Sequence, residues 1–453
     1  MATIGLEIVD AALVAVRDGV RLAASPGVAL IDPQGLLVGE PAAAAMRLRP
    51  ALAADRFWSD LAADAMVQAA ATPISYADLA HAHLSQLWSS IARPEDQAVL
   101  AIPGTMRPAQ AGILLGIAKS IAMPVAGVVD CAVAACAGLP ARASVLHLDI
   151  HLHQAVLTEM QGGKLLRRGR VEVTARAGLK ALHGAWAQLV SEAMVRRTRF
   201  DPLHRAESEQ QLHERLPGWL QALATQDAID ASIETGTNSF TVTLRSEQFA
   251  LAADAYYAQL VELVQSARRA GSRATLVLSS RAALLPSLQD RLAALPELQL
   301  VTLPDTAPAA AAAARVDEIG PGDPPMLVTA LARSRPIATG AAQGTRQPRA
   351  ANPTHVILES RAHAIDEQPL VLGVGDDPAP SKGRRLALSG RPAGVSRSHC
   401  TLLRRDGQVI VRDHSRYGSF VNGERVDGEA ELGAGDRLRL GTPGVLLELV
   451  AVA

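Results

Sequence analysis

The sequence predicts an α/β region followed by an all-β sandwich, with a linker rich in Ala, Pro and Gly between them. Three observations carry this expectation. "TIGLEIV", "AVLAIPG", "SVLHLDI" and "ATLVLSS" are short apolar runs of buried-strand type separated by helical stretches. From Thr302 to Pro353 the chain turns to Ala, Pro, Gly and scattered Arg, a composition that buries little side chain. Beyond it, "HVILES", "PLVLGV", "RRLALS", "HCTLLRR", "QVIVRD", "SFVNG", "ERV" and "RLRLG" are β-rich pieces punctuated by Gly, Pro, Asp and Asn. The expected boundaries are an α/β domain over 1–303, a linker over 304–354 and a β-sandwich over 355–453.

Along the chain, "MATIGLEIVDAALVAV" lacks a basic start and carries Glu7 and Asp10 inside its apolar stretch, which argues against a signal peptide. "RPAQAGILLGIAKSIA" spaces Ile113, Ile117 and Ile121 four apart with Pro108 in the first turn, the pattern of a helix. Lys119 interrupts it, so it reads as a buried or amphipathic helix and not a membrane span. "RRTRFDPLHRAESEQQLHERLPGWLQAL" reads as a helical insertion whose Leu212, Leu216 and Leu220 face the core. Within the linker, "MLVTALARS" is a candidate short ordered piece. In "DRLRLG", Leu438 and Leu440 alternate with Arg437 and Arg439, the period of a half-buried strand.

At 453 residues the chain has room for two to four domains. With a formal net charge of -1 there is no global field toward nucleic acid or anionic lipid, so neither partner is expected. Cys131, Cys136 and Cys400 show no metal-ligand or CxxC spacing and read as reduced, buried thiols in a cytoplasm, and the chain as a whole is expected to be bacterial. No metal is expected, although His151 and His153 at i, i+2 on a strand would share one face and could in principle ligate one.

Three separated motifs, "VSRSHCTL", "VRDHSRYGSFVNGERV" and "LGAGDRLRLG", resemble in order and spacing those of a forkhead-associated (FHA) domain. The resemblance implies a β-sandwich that recognises phosphothreonine in partner proteins through loops at one end. It implies that Ser396 and Arg397 touch the phosphate and that Asn422 ties adjacent loops and holds peptide backbone, and Arg416 in the neighbouring loop could supply further phosphate-binding charge. His399 and Gly418 would be structural in those loops. Two positions depart from the pattern: Val374 follows Gly373 where the family has a phosphate-binding arginine, and Tyr417 stands where it favours Asn. Arg384, Arg385, Arg391 and Arg416 are the candidates to replace the missing cation. The alternative for this region is docking on an unmodified protein surface.

The N-terminal region, through "AIPGTMRPAQAGILLGIAKSIAMPVAGVVDCAVAAC" and more weakly on both sides, resembles the actin-like ATPase superfamily, most closely DnaK-type chaperones. That resemblance implies a nucleotide site in which Glu7, Asp130 and Asp149 would hold hydrated magnesium. The glycines such loops need for close approach to phosphate are replaced: by Val9 in the first, where Asp10 and Ala11 follow in place of threonines, by His151, Leu152 and His153 in the second, and by Ser279 and Ser280 at the adenosine loop. No lysine lies between the first loop and "AIPG", where the family carries its catalytic one. The region therefore reads as a pseudo-ATPase without a required cofactor, ATP and magnesium being what an active member would bind.

Together these readings give a non-catalytic adaptor or scaffold whose sandwich captures a protein partner, phosphorylated on threonine if the FHA pattern is functional. The α/β region would add a second protein-binding surface. The expectation leans against an enzyme. Two alternatives stand beside it: a nucleotide-dependent DnaK-like chaperone ATPase targeted by the FHA module, and a purely structural assembly subunit.

Overall fold

The computed structural model describes residues 2–32, 35–64, 67, 73–139, 144–268, 273–320, 322, 325–333, 353–358, 361–374, 383–388, 392, 394–405, 408–421, 424–426, 428–441 and 444–451. The chain divides into two compact units, Met1–Ala342 and Gln343–Ala453.

In the first unit, the apolar runs become the central strands of two six-stranded sheets. The first sheet begins as an antiparallel meander of β1 (Thr3–Val9), β2 (Ala12–Arg17) and β3 (Val20–Ser25). On the other side of β1 follow, in parallel, β4 (Gln97–Ile102) and β5 (Val125–Asp130). The second sheet repeats this order. β6 (Ser144–Ile150), β7 (Ala155–Gln161) and β8 (Leu165–Thr174) form the meander. β9 (Ala274–Leu278) and β10 (Leu298–Thr302) add in parallel beside β6. Central strands are buried on successive residues because both of their faces are covered: β4 is apolar from Ala98 to Ile102, and β6 buries His147 and Asp149 among its apolar residues.

Helices fill the faces. Ser75 starts the Tyr76–Ile91 helix with a reciprocal capping box to Asp78, and Pro108 occupies the first turn of Pro108–Ser120. The Ala206–Leu223 helix buries Leu212, Leu216 and Leu220.

The region expected to begin a linker at residue 304 instead continues the first unit. Ala307–Ala314 is a helix lying on β1, where a Cβ on Gly5 would come within 1.7 Å of the Ala309 carbonyl oxygen. Alanine suits this position because a backbone-to-backbone approach leaves no room for larger side chains, and Ala309 and Ala312 are fully buried. Within the suggested ordered piece "MLVTALARS", β11 (Leu327–Val328) pairs parallel with β5 and β12 (Ala330–Ala332) antiparallel with β8. One short segment thus closes an edge of each sheet. Residues 334–352, the remainder of the expected linker up to Ala351 and Asn352, lie outside the described residues.

The second unit is β-rich. One sheet has β13 (His355–Leu358), β14 (Arg361–Ala364), Ser419–Val421, Glu424–Arg425, Arg437–Leu440 and Val445–Val450; the other has Leu370–Gly373, Arg384–Ala387, Cys400–Arg405, Gln408–Asp413 and Glu429–Leu432. Its core alternates as half-buried strands require: Cys400 and Leu402 point in, Leu438 and Leu440 likewise, against Val409, Val411, Leu447 and Leu449.

Candidate functional site

Two groups of functional residues emerge, one in each unit. In the C-terminal unit, residues 394–399, leading into the strand Cys400–Arg405, are held from behind by a set of hydrogen bonds and one close backbone approach. His399 is fully buried, and its Nδ1 accepts the Ser396 N–H at 3.0 Å while its Nε2 donates to the Gly418 carbonyl at 3.1 Å. A backbone N–H can only donate and a carbonyl can only accept, so this geometry fixes a neutral imidazole protonated on Nε2. Burial pushes the His399 pKa down, opposed by the Gly418 carbonyl and Asp413. The Val374 N–H donates to the Ser396 carbonyl at 3.2 Å. The Arg385 guanidinium donates to the Arg397 carbonyl at 3.0 Å and to Ser398 Oγ at 2.9 Å. Gly373 closes the clamp, since a Cβ there would lie 2.0 Å from the Arg397 carbonyl oxygen.

What faces outward is the chemistry that an anion requires. The Arg397 and Arg416 side chains are exposed, and the Arg416 N–H donates to Ser396 Oγ at 3.3 Å, bringing the two loops to one hydroxyl. The second loop is ordered from within: Gly418 takes a positive φ of 81° and donates to Ser415 Oγ at 2.7 Å, while Asp413 accepts from Ser419 Oγ at 2.8 Å and the Ser415 N–H at 3.2 Å. A family model described as FHA domain matches residues 380–441. No curated protein matches the chain.

Of the residues singled out in sequence, Ser396, Arg397, His399, Arg416 and Gly418 thus share this end of the FHA domain, and Asn422 lies outside the described residues. Among the candidate substitute cations, Arg384 turns to the Ala364 carbonyl and Asp366, Arg391 lies outside the described residues, and Arg385 joins the clamp. Val374 is partly buried against the sandwich core.

The second group lies in the first unit, where β1 and β6 approach one another. Glu7 and Asp149 do converge, but on a guanidinium. Arg281, from the short helix after β9, donates to Glu7 Oε1 at 2.6 Å and to Asp149 at 2.7 and 3.0 Å. All three side chains are nearly closed to solvent, at 14% exposure for Arg281, 1% for Glu7 and 6% for Asp149. Burial pushes Glu7 up, partly opposed by Arg281. For Asp149 burial also acts upward, but Arg281 and His151 outweigh it and hold the carboxyl well below the usual range. His151 Nε2 lies 3.4 Å from Asp149, and its own pKa is raised against burial by Asp149 and Asp10.

The two turns that follow β1 and β6 are also joined directly, the Leu152 N–H donating to Asp10 Oδ1 at 2.8 Å. Asp130 stands apart from this network: it caps the Cys131–Cys136 helix and pairs with Arg168 at 2.9 Å.

These residues do not fit a magnesium nucleotide. Each carboxylate that would hold the hydrated metal is paired with an arginine, with Glu7 Oε2 left buried without a hydrogen-bond partner, and the turns that would cradle phosphates are bonded to each other through the Asp10 side chain. The adjoining pocket is lined by Glu7, Asp149 and Arg281 themselves, so the bridge forms its wall. Ser279 is used as the cap of the short helix carrying Arg281, accepting the Ala282 N–H. His151 and His153 fall in the turn beyond β6 and not on a strand, so they do not share a face: His153 turns to the Asp55 carbonyl at 2.9 Å. No group of three His, Cys, Asp or Glu suited to a metal ion occurs among the described residues.

Arg281 was the functional residue least visible in the sequence. Its only signal was position, directly after the serine pair where an adenosine loop would have glycines.

Proposed function

We propose that this protein is an adaptor whose FHA domain captures a partner protein phosphorylated on threonine. The observation that carries the reading is the braced Ser396–Ser398 loop, tied to the second loop by the Arg416 N–H to Ser396 Oγ bond, with the Arg397 and Arg416 side chains exposed. A phosphate offers several strong acceptors and nearly two negative charges, and such converging donors are what recognise it. The first unit contributes a second, non-catalytic protein surface. Its duplicated strand order supports an actin-like or DnaK-like ancestry, and the Arg281 bridge supports the loss of nucleotide chemistry there. Tethered surfaces raise one another's effective concentration, so two weak contacts act as one stronger one.

The test is calorimetric titration of the full chain with a degenerate phosphothreonine peptide pool and its unphosphorylated twin. Preference for the phosphorylated pool, lost in Ser396→Ala and Arg397→Ala, is the expected result. Equal binding of the two pools by a folded protein would leave docking on an unmodified partner as the better account.

A further inference from the structure

We infer that Arg385 is the positioning residue of the phosphate loop, taking over the cationic role from the position after Gly373. This rests on the phosphothreonine reading above. Three observations lead to it. Val374, where the resemblance places an arginine, is an aliphatic side chain packed on the core and brings no charge to the loop. Arg385 lies on the strand parallel to Leu370–Gly373, paired with Val371, three residues before the vacated position, and it spans that offset with the length of its side chain. Its two terminal nitrogens reach the loop at adjacent residues, the Arg397 carbonyl and Ser398 Oγ, at 3.0 and 2.9 Å.

The chemistry follows from the fork. A guanidinium holds two acceptors in one plane, so Arg385 fixes the peptide between Arg397 and Ser398 as well as the Ser398 hydroxyl. That constraint orients the Arg397 backbone, and with it the base of the exposed Arg397 side chain, before any ligand arrives. The same group carries a full positive charge directly behind the residues that would meet a phosphate. Arg384, its neighbour, cannot share the task, being engaged by Asp366 and the Ala364 carbonyl. Arg385 thus acts on the phosphate through the loop it holds and through its field, without direct contact being required.

The experiment uses the full chain and two variants, Arg385→Gln and Arg385→Lys, titrated with the same two peptide pools and unfolded thermally in parallel. Both variants lose the two-pronged bond, so both should lose a similar increment of stability. They differ in charge. Arg385→Gln is expected to lower the preference for the phosphorylated pool at least tenfold, whereas Arg385→Lys keeps part of it and a steeper salt dependence. A merely structural residue would make the two variants equal in preference as in stability, and that result would overturn the inference. An unchanged preference in Arg385→Gln would overturn it as well. A wild-type protein without any preference would overturn the phosphothreonine reading itself, and this assignment with it.

Discussion

Replacing Arg281 by methionine should destabilise the first unit severely, and more so as the pH rises. The substitution keeps much of the side-chain volume but removes the guanidinium bonded to both Glu7 and Asp149, which are 1% and 6% exposed. Removing one partner of a buried ion pair costs roughly 3–5 kcal/mol, because the remaining charge stays desolvated. One kcal/mol moves the midpoint by about 2–4 °C in domains of 150–250 residues and somewhat less in larger ones, so a fall of about 5–15 °C is expected.

The sign of the pH effect follows from linkage. Without Arg281, a buried carboxyl binds a proton in the folded state that the unfolded chain releases, so stability declines as pH increases. The deficit relative to wild type should therefore be larger at pH 8 than at pH 5. All four tryptophans, Trp58, Trp88, Trp186 and Trp219, belong to the first unit, and urea unfolding followed by tryptophan fluorescence reads that unit alone. A loss below about 1 kcal/mol, or a deficit that shrinks with rising pH, would refute the assignment of a buried bridge. Adding Glu7→Gln and Asp149→Asn to Arg281→Met should recover much of the loss, since the stranded charges are gone.

Three further outcomes are expected. His83, His147 and His183 are held neutral by burial with pKa values of about 4, so their stabilisation is complete above about pH 6.5 and is lost as the pH falls toward 4. At pH 5 each should cost about 2 kcal/mol by the fluorescence assay, and a flat profile between pH 7 and 5 would contradict this. Gly373→Ala places a methyl against the Arg397 carbonyl and should lower the C-terminal calorimetric transition by about 1–3 kcal/mol while reducing phosphopeptide preference; an unchanged protein would mean the close approach is relaxed at no cost. Millimolar magnesium-ATP should leave the tryptophan-detected midpoint within about 1 °C, and a shift of several degrees would restore the nucleotide-dependent alternative.

The strands were legible because their signal is local. "SVLHLDI" and "AVLAIPG" contain the buried strands β6 and β4, and the alternation in "DRLRLG" marks a strand of the sandwich. The spacing of Leu212, Leu216 and Leu220 placed the face of a helix correctly for the same reason. The closing strand Val445–Val450 went unremarked, although "VLLELV" has the composition for it. Composition misled at residues 307–314, because a run of alanines looks featureless until the partner surface is known to be a glycine on β1. The bridge through Arg281 was invisible for a different reason. Its partners lie 274 and 132 residues away in sequence, and nothing in the local pattern of "SSRAAL" distinguishes a buried guanidinium from a solvated one. For the phosphate loop, motif order located the residues, but only the geometry shows Arg385 turned onto the loop and Arg384 turned away from it.

The contact between Gly5 and Ala309 also constrains how the first unit can be made. During synthesis β1 leaves the ribosome well before the helix that lies on it, and the segment carrying β11 and β12 follows later still. Such non-local closure is slow and leaves apolar surface and strand edges open meanwhile. Chains stopped before residue 307 would therefore be unfinished throughout, with β1 lacking its cover, β5 and β8 lacking their edge partners, and aggregation the expected fate.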